Sequence, residues 1–269
     1  MIPPHFVMVD KFSSAARHRA LALFISFLCL AANVFGQSTN VTVLPVPDWV
    51  RLCDWSVPTN RATSEKSEGS RYLVFERQEN PQRQERFTRT ILLMENETGV
   101  QDSGSLTVEF DPSFQELFLH LVQIHRQGKV LERLNRSKVR ILQPEPDLDG
   151  HLITGRQTAL LVIEDLRVGD ALEYAYTLRG ANPILNGHYA TRLVMRSGVP
   201  VDRQRMRVVW ASPQPLYLRQ HLTELAPVKA ECPGGTEYVW DFTNLEAIPY
   251  EDALPISYEP YPYVELSDF

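Results

Sequence analysis

The stretch "EDLRVGDALEYAYTLRG", residues 164–180, decides the fold class. Leu172, Tyr174, Tyr176 and Leu178 alternate with Glu173, Ala175, Thr177 and Arg179, and a period of two marks a strand with one apolar and one polar face. The Val168-Gly169-Asp170 step in front of it has two readings. A site would need a phosphate-cradling glycine cluster or a second carboxylate at defined spacing, and a lone Gly-Asp supplies neither. A turn accounts for every residue, because Gly169 tolerates positive φ and Asp170 accepts backbone N–H bonds. We read it as a turn leading into a strand.

Working outward, similar runs recur at short intervals: "RYLVFERQ", "RFTRTILLM", "SLTVEF", "LFLHLVQIH", "TALLVIEDL", "ATRLVMRS", "RMRVVWAS" and "EYVWDFT". Each is rich in β-branched or aromatic residues and bounded by turn formers, and no βα alternation separates them. The pattern predicts a mostly β, antiparallel β-sandwich-like module with few short helices. "FQELFLHLVQIH" also fits a helix through Phe114, Leu117, Phe118, Leu121 and Ile124, but the following "RQGKV" is hairpin chemistry, which favours a strand. In "RMRVVWAS", Trp210 shares parity with Met206 and Val208 and is expected in the core, with Arg205 and Arg207 on the opposite face. "PISYEPYPYVELSDF" at the C-terminus carries Pro255, Pro260 and Pro262 and reads as extended, edge-lying chain or linker rather than a core strand. There is no internal repeat, heptad array or second hydrophobic span.

The first 36 residues differ in kind. Lys11, Arg17 and Arg19 precede the apolar run "ALALFISFLCLAANVF", and Val34 and Gly36 sit at −3 and −1 before Gln37, the pattern of a cleaved signal peptide. Sixteen residues rise about 24 Å as a helix, short of the roughly 30 Å bilayer core, so no stable membrane span is expected after cleavage. A retained anchor is the alternative. Cys29 follows Ser26, Phe27 and Leu28 inside the apolar run, which argues against a lipid-attachment site. The expected location is extracytoplasmic, periplasmic or secreted. Residues 37–70 read as an N-terminal linker, polar in "SVPTNRATSEKSEGS", with one short segment, "PDWVRLCDW", pinned by its tryptophans onto the domain at 71–269.

The 269-residue chain, 43% hydrophobic with net charge −6, can bury a sizeable core. It has no basic cluster suited to phosphate backbones outside the N-terminus, so nucleic acid is not an expected partner. Beyond residue 36 the chain keeps two cysteines, Cys53 and Cys232. A disulfide between them would close a loop of about 180 residues and add roughly 4–5 kcal/mol on the chain-entropy account. We read them as separate thiols, one buried and one at a turn, with the pairing left open.

No constellation carries chemistry. His120 and His125 are five apart, which places them on opposite faces of a regular strand, and His151, His188 and His221 have no Cys or His neighbour at zinc spacing. Neither cysteine stands in a setting that activates a thiol. "PEPDLDG", with Asp147, Asp149 and Gly150, is conceivable as a weak calcium loop but lacks the remaining ligands. "NVT", "NET" and "NRS" at Asn40, Asn96 and Asn135 are glycosylation sequons in form. No catalytic, cofactor-binding or metal residue is assigned, and no cofactor is expected.

In order, "ILLMENETGV", "LTVEFDPSFQEL", "IHRQGKVLE", "VIEDLRVGDALEYAYTLRG", "NPILNGHYA", "PVDRQRMRVVWASP", "YVWDFTNLEAIPYEDALP" and "YPYVELSDF" resemble domain of unknown function 3857, the N-terminal module of exported bacterial transglutaminase-like proteins. The resemblance spans roughly Arg71 to Phe269. It implies a β-rich module followed by a papain-like domain with a Cys-His-Asp triad, to which no position here corresponds. Glu251 and Pro255 lie in a late acidic motif without an established role. The expected function is a non-catalytic accessory module that packs against, or presents substrate to, a transglutaminase-like or protease-like partner. The alternative is a free-standing cell-envelope glycan- or peptide-binding module, and an independent hydrolase is a third reading.

Overall fold

The computed structural model describes residues 41–57, 69–143, 155–249 and 258–269. All belong to one compact unit, Asn40–Phe269. The nine runs singled out above all form strands, and the only α-helix among the described residues, α1 at Glu97–Asp102, has six residues. Its cap is Asn96, whose side chain accepts from the Gly99 N–H, as expected of Asn at a helix start.

Nine strands form the large sheet: β1 (Val41–Val43), β2 (Ser70–Asn80), β3 (Glu85–Met94), β5 (Glu116–Arg126), β6 (Lys129–Glu132), β9 (Ala171–Arg179), β11 (Val201–Trp210), β13 (Val228–Cys232) and β14 (Gly235–Leu245). Their order is β1-β5-β9-β3-β2-β11-β14-β13, with β6 hairpinned onto β5. Most pairs are antiparallel, but β1 joins β5 and β11 joins β2 in parallel, so the sheet is mixed rather than purely antiparallel. Two three-stranded antiparallel sheets accompany it. One is β4 (Ser105–Phe110), β8 (Gln157–Val162) and β7 (Arg140–Leu142). The other is β10 (Ala190–Val194), β15 (Tyr263–Ser267) and β12 (Tyr217–His221).

"FQELFLHLVQIH" is strand, and Gln127 and Gly128, both at positive φ, make the β5–β6 hairpin, as type I′ chemistry requires. The turn at 168–170 is also as read. Gly169 has φ 87°, and Asp170 N–H donates to the Arg167 carbonyl at 3.1 Å. Asp170 is buried and does more than cap: its carboxylate accepts from Arg167 N–H at 2.8 Å and from Arg126 at 2.7 and 2.8 Å. It therefore fixes the β9 entry against the far end of β5.

One face of the large sheet carries two apolar clusters. Leu92, Met94, Leu117, Leu119, Val122, Ile124, Leu172 and Leu178 meet Leu106, Val108, Phe110 and Leu161 of the β4–β8 pair. Met206, Val208, Trp210 and Trp240 meet Leu193, Val264 and Leu266 of the other small sheet. Each such fully buried side chain stabilises the fold by about 1.5–3 kcal/mol. Trp210 is buried as its parity predicts, with Nε1 donating to the Gln214 carbonyl at 2.8 Å.

The C-terminal reading needs correction. Tyr263–Ser267 is the central strand of the second small sheet, and Val264 and Leu266 are buried. Pro260 and Pro262 lie just before it, where no ladder N–H is lost, and the period-two pattern of "YVELS" then prevails. The linker reading of Val41–Val43 also fails, because that segment adds a parallel strand to β5 with Val41 in the core.

Candidate functional site

The polar face of the large sheet is buried too. Glu76, Gln78, Arg89, Glu173, Thr177 and Arg207 all lie out of water, because residues 44–57 cross over them. A strap lying across a sheet, rather than along its edge, cannot use ladder hydrogen bonds, so its backbone groups need side-chain partners. The sheet supplies them. Arg207 donates to the Trp49 carbonyl at 2.8 Å, and Gln78 exchanges bonds with Arg51, giving to its carbonyl at 2.7 Å and accepting from its N–H at 3.1 Å. Arg205 donates to the Arg51 carbonyl and Arg203 to that of Asp54. Trp49 Nε1 donates to Glu85 at 2.5 Å. The "PDWVRLCDW" segment is thus pinned, but more by these polar bonds than by aromatic burial.

At the centre of this face lies a charged chain. Cys53 N–H donates to Glu76 at 3.0 Å, Arg89 bridges Glu76 at 2.8 Å and Glu173 at 2.7 Å, and Arg89 also donates to the Cys53 carbonyl at 3.0 Å. His125 Nε2 meets the other Glu173 oxygen at 2.7 Å, and Trp55 packs edge-on against the imidazole at 4.8 Å. A thiol, an imidazole and two carboxylates therefore share one region, the ingredients of nucleophilic catalysis. Their arrangement works against it. Burial, then the Glu76 charge, push the Cys53 thiol up to about 11, far from the thiolate a nucleophile needs. The contacts of the His125 ring are Glu173 and Trp55, not that thiol. The cluster acts as a clamp on the strap.

His120 and His125 lie on one face, against the expectation of opposite faces. A β-bulge between Leu119 and Leu121 inserts a residue and reverses parity, so the buried positions switch from Leu117 and Leu119 to Val122 and Ile124. His120 stacks on Phe87, with Nδ1 2.9 Å from the Leu44 carbonyl and Nε2 2.7 Å from Thr177 Oγ. Burial lowers its pKa. His188 pairs with Asp268 at 3.1 Å, and His221 stacks on Tyr263. Cys232 ends β13 as a free thiol, separate from the buried, free Cys53. Asn135, like Asn96, caps a helical turn, accepting from Ser137 N–H. Cys29, Gln37, Asn40, Asp147, Asp149, Gly150, His151, Glu251 and Pro255 lie outside the described residues. Among the described residues no group of three His, Cys, Asp or Glu is placed to hold a metal, and no helix is long and apolar enough to cross a membrane.

On the opposite face a cleft of about 320 Å³ opens between the start of β3 and residues 180–191. Its wall includes Glu79, whose oxygens are taken by Arg77 at 2.7 Å, Tyr189 Oη at 2.8 Å and Thr191 Oγ at 3.1 Å. This cleft and the clamp are two of the polar constellations among the described residues. The clamp was missed in the sequence because alternating Glu, Gln and Arg read as a solvated face. The one available signal was the polar, tryptophan-bearing segment upstream, which needed partners.

A mixed large sheet, clamped on its polar face and backed by two small sheets, defines a β-rich module. Residues 80–249 match DUF3857, a domain of unknown function with a solved structure, and the chain belongs to that family. No curated protein matches it in sequence. Among solved structures it is similar to a candidate protease from Parabacteroides distasonis at 16% identity and TM-score 0.64, covering 76% of this chain and 41% of that one. Legionella pneumophila aminopeptidase A (13% identity, TM-score 0.38, 76% and 22% covered) and yeast LTA4 hydrolase (11%, 0.33, 75% and 29%) are more distant. The chain thus spans less than half the length of each of these structures.

Proposed function

We propose that the chain is an exported, non-catalytic accessory module that packs against, or presents substrate to, a transglutaminase-like or protease-like catalytic domain. One observation carries this reading. The polar groups that could do chemistry are spent on holding residues 44–57 to the sheet, with the thiol kept protonated and the imidazole committed to Glu173. The similarity to one part of a longer candidate protease supports the same reading. Sequencing the transcript beyond the codon for Phe269 tests it. The expected result is a continuing or adjacent frame that encodes a domain with Cys, His and Asp in papain-like order. A stop followed by unrelated genes would overturn it in favour of the free-standing envelope-binding module.

A further inference from the structure

The cleft beside β3 holds one cation that is given no ion-pair partner among the described residues. Arg86 lines it, half-buried, and among the described residues its side chain makes no ion pair or hydrogen bond. The neighbouring charges are already matched. Arg77 pairs with Glu79, which also accepts from Tyr189 and Thr191. Glu85, at the mouth, pairs with Arg179 and accepts from Trp49, and His188 pairs with Asp268.

Burial, then repulsion from Arg77, outweigh the attraction of Glu79, which Arg77 already pairs, and hold the Arg86 pKa below the ordinary arginine value. A guanidinium nonetheless keeps its proton, so the cleft contains a partly desolvated cation, which is costly until an anion completes it. The volume lies in the range of small-ligand sites. A single unmatched positive charge suits a monoanion better than a phosphate dianion, and the planar guanidinium fork matches a carboxylate. The wall at Tyr189, Ala190 and Thr191 runs into β10, which among the described residues is an edge strand paired with β15 alone, and a free edge accepts extended peptide.

We propose that this cleft binds a carboxylate, carried by a peptide terminus or by a free acid, with Arg86 as the recognising group. The proposal stands whether or not a catalytic domain follows.

Calorimetric titration of the full chain at low salt tests it with four probes: N-acetyl-trialanine bearing a free C-terminal carboxylate, its C-terminal amide, acetate and inorganic phosphate. The expected result is saturable binding of a carboxylate, weakened about tenfold or more in Arg86→Met, with Arg86→Lys intermediate because it keeps the charge but not the fork. Preference for the peptide acid over acetate assigns a peptide terminus, and equal affinity assigns carboxylates generally. Absence of saturable carboxylate binding, undiminished binding by Arg86→Met, equal binding of the amide, or tighter binding of phosphate would each overturn it. Folding gives a second arm. Removing an unmatched charge should leave the thermal midpoint of Arg86→Met at or above that of the parent chain. A clearly lowered midpoint would show that Arg86 has its counter-charge within the chain, and would also overturn the proposal.

Discussion

Replacing Arg89 by methionine removes the one cation that lies between Glu76 and Glu173. Glu76 is 0% and Glu173 5% exposed, and Arg89 meets them at 2.8 and 2.7 Å while also donating to the Cys53 carbonyl. Breaking a buried pair by deleting one partner costs about 3–5 kcal/mol, and the lost bond to the strap adds about 1. Arg89→Met should therefore cost roughly 4–6 kcal/mol, a large part of the 5–15 kcal/mol typical of a domain. Most of that loss comes from buried carboxylates deprived of their close cation, Arg205 standing 4.0 Å from Glu76, so adding Glu76→Gln and Glu173→Gln to Arg89→Met should recover more than half. The amides can still accept from Cys53 N–H and His125. Urea unfolding followed by tryptophan fluorescence measures both variants. A cost below about 1 kcal/mol for Arg89→Met, or a triple variant no more stable than the single one, would refute the buried-clamp reasoning.

Two further outcomes are expected. Trp210→Ala empties a core position between the large sheet and β15 and should cost about 3–5 kcal/mol, read as a lowered thermal midpoint; an unchanged midpoint contradicts the packing of Trp210. For His120, burial depresses the folded-state pKa below the unfolded value, so as the pH falls through about 6.5 the unfolded chain takes up the proton first. Stability is then lost on acidification, and the parent chain should lose more between pH 7 and 5 than His120→Gln, which equal thermal midpoint shifts would contradict.

The sequence discloses the strands well and the faces unevenly. All nine apolar runs are strands because their period-two patterns agree with β-branched content and turn punctuation, and Trp210 follows from the same parity. Parity fails at Leu119/Leu121, where a bulge that no residue announces puts His120 and His125 on one face. It also fails to reveal that Glu76, Arg89 and Glu173 are buried, since a polar face covered by a strap looks like one covered by water. The short strands β1, β7, β12 and β13 escaped for a related reason. Segments such as Val228–Cys232, largely exposed, are strands by pairing with a neighbour rather than by their own composition. The "YVELS" strand was hidden by the prolines before it. The family resemblance was legible across the domain, and the match at 80–249 falls within the span it covered. The cleft was not legible, because Arg86 sits in a run that reads only as strand, and the matched charges around it come from β2, β10 and the C-terminus.

The central claim is that this module does no covalent chemistry of its own. The most direct test is turnover of glutamine-donor and peptide substrates by the purified chain from Gln37 to Phe269, compared with the same chain carrying Cys53→Ala and Cys232→Ser. With the Cys53 thiol pushed up to about 11 and Cys232 a free thiol at the end of β13, the account predicts no turnover above buffer in either. Thiol-dependent turnover that disappears on replacing either cysteine would contradict it and make the chain an enzyme in its own right.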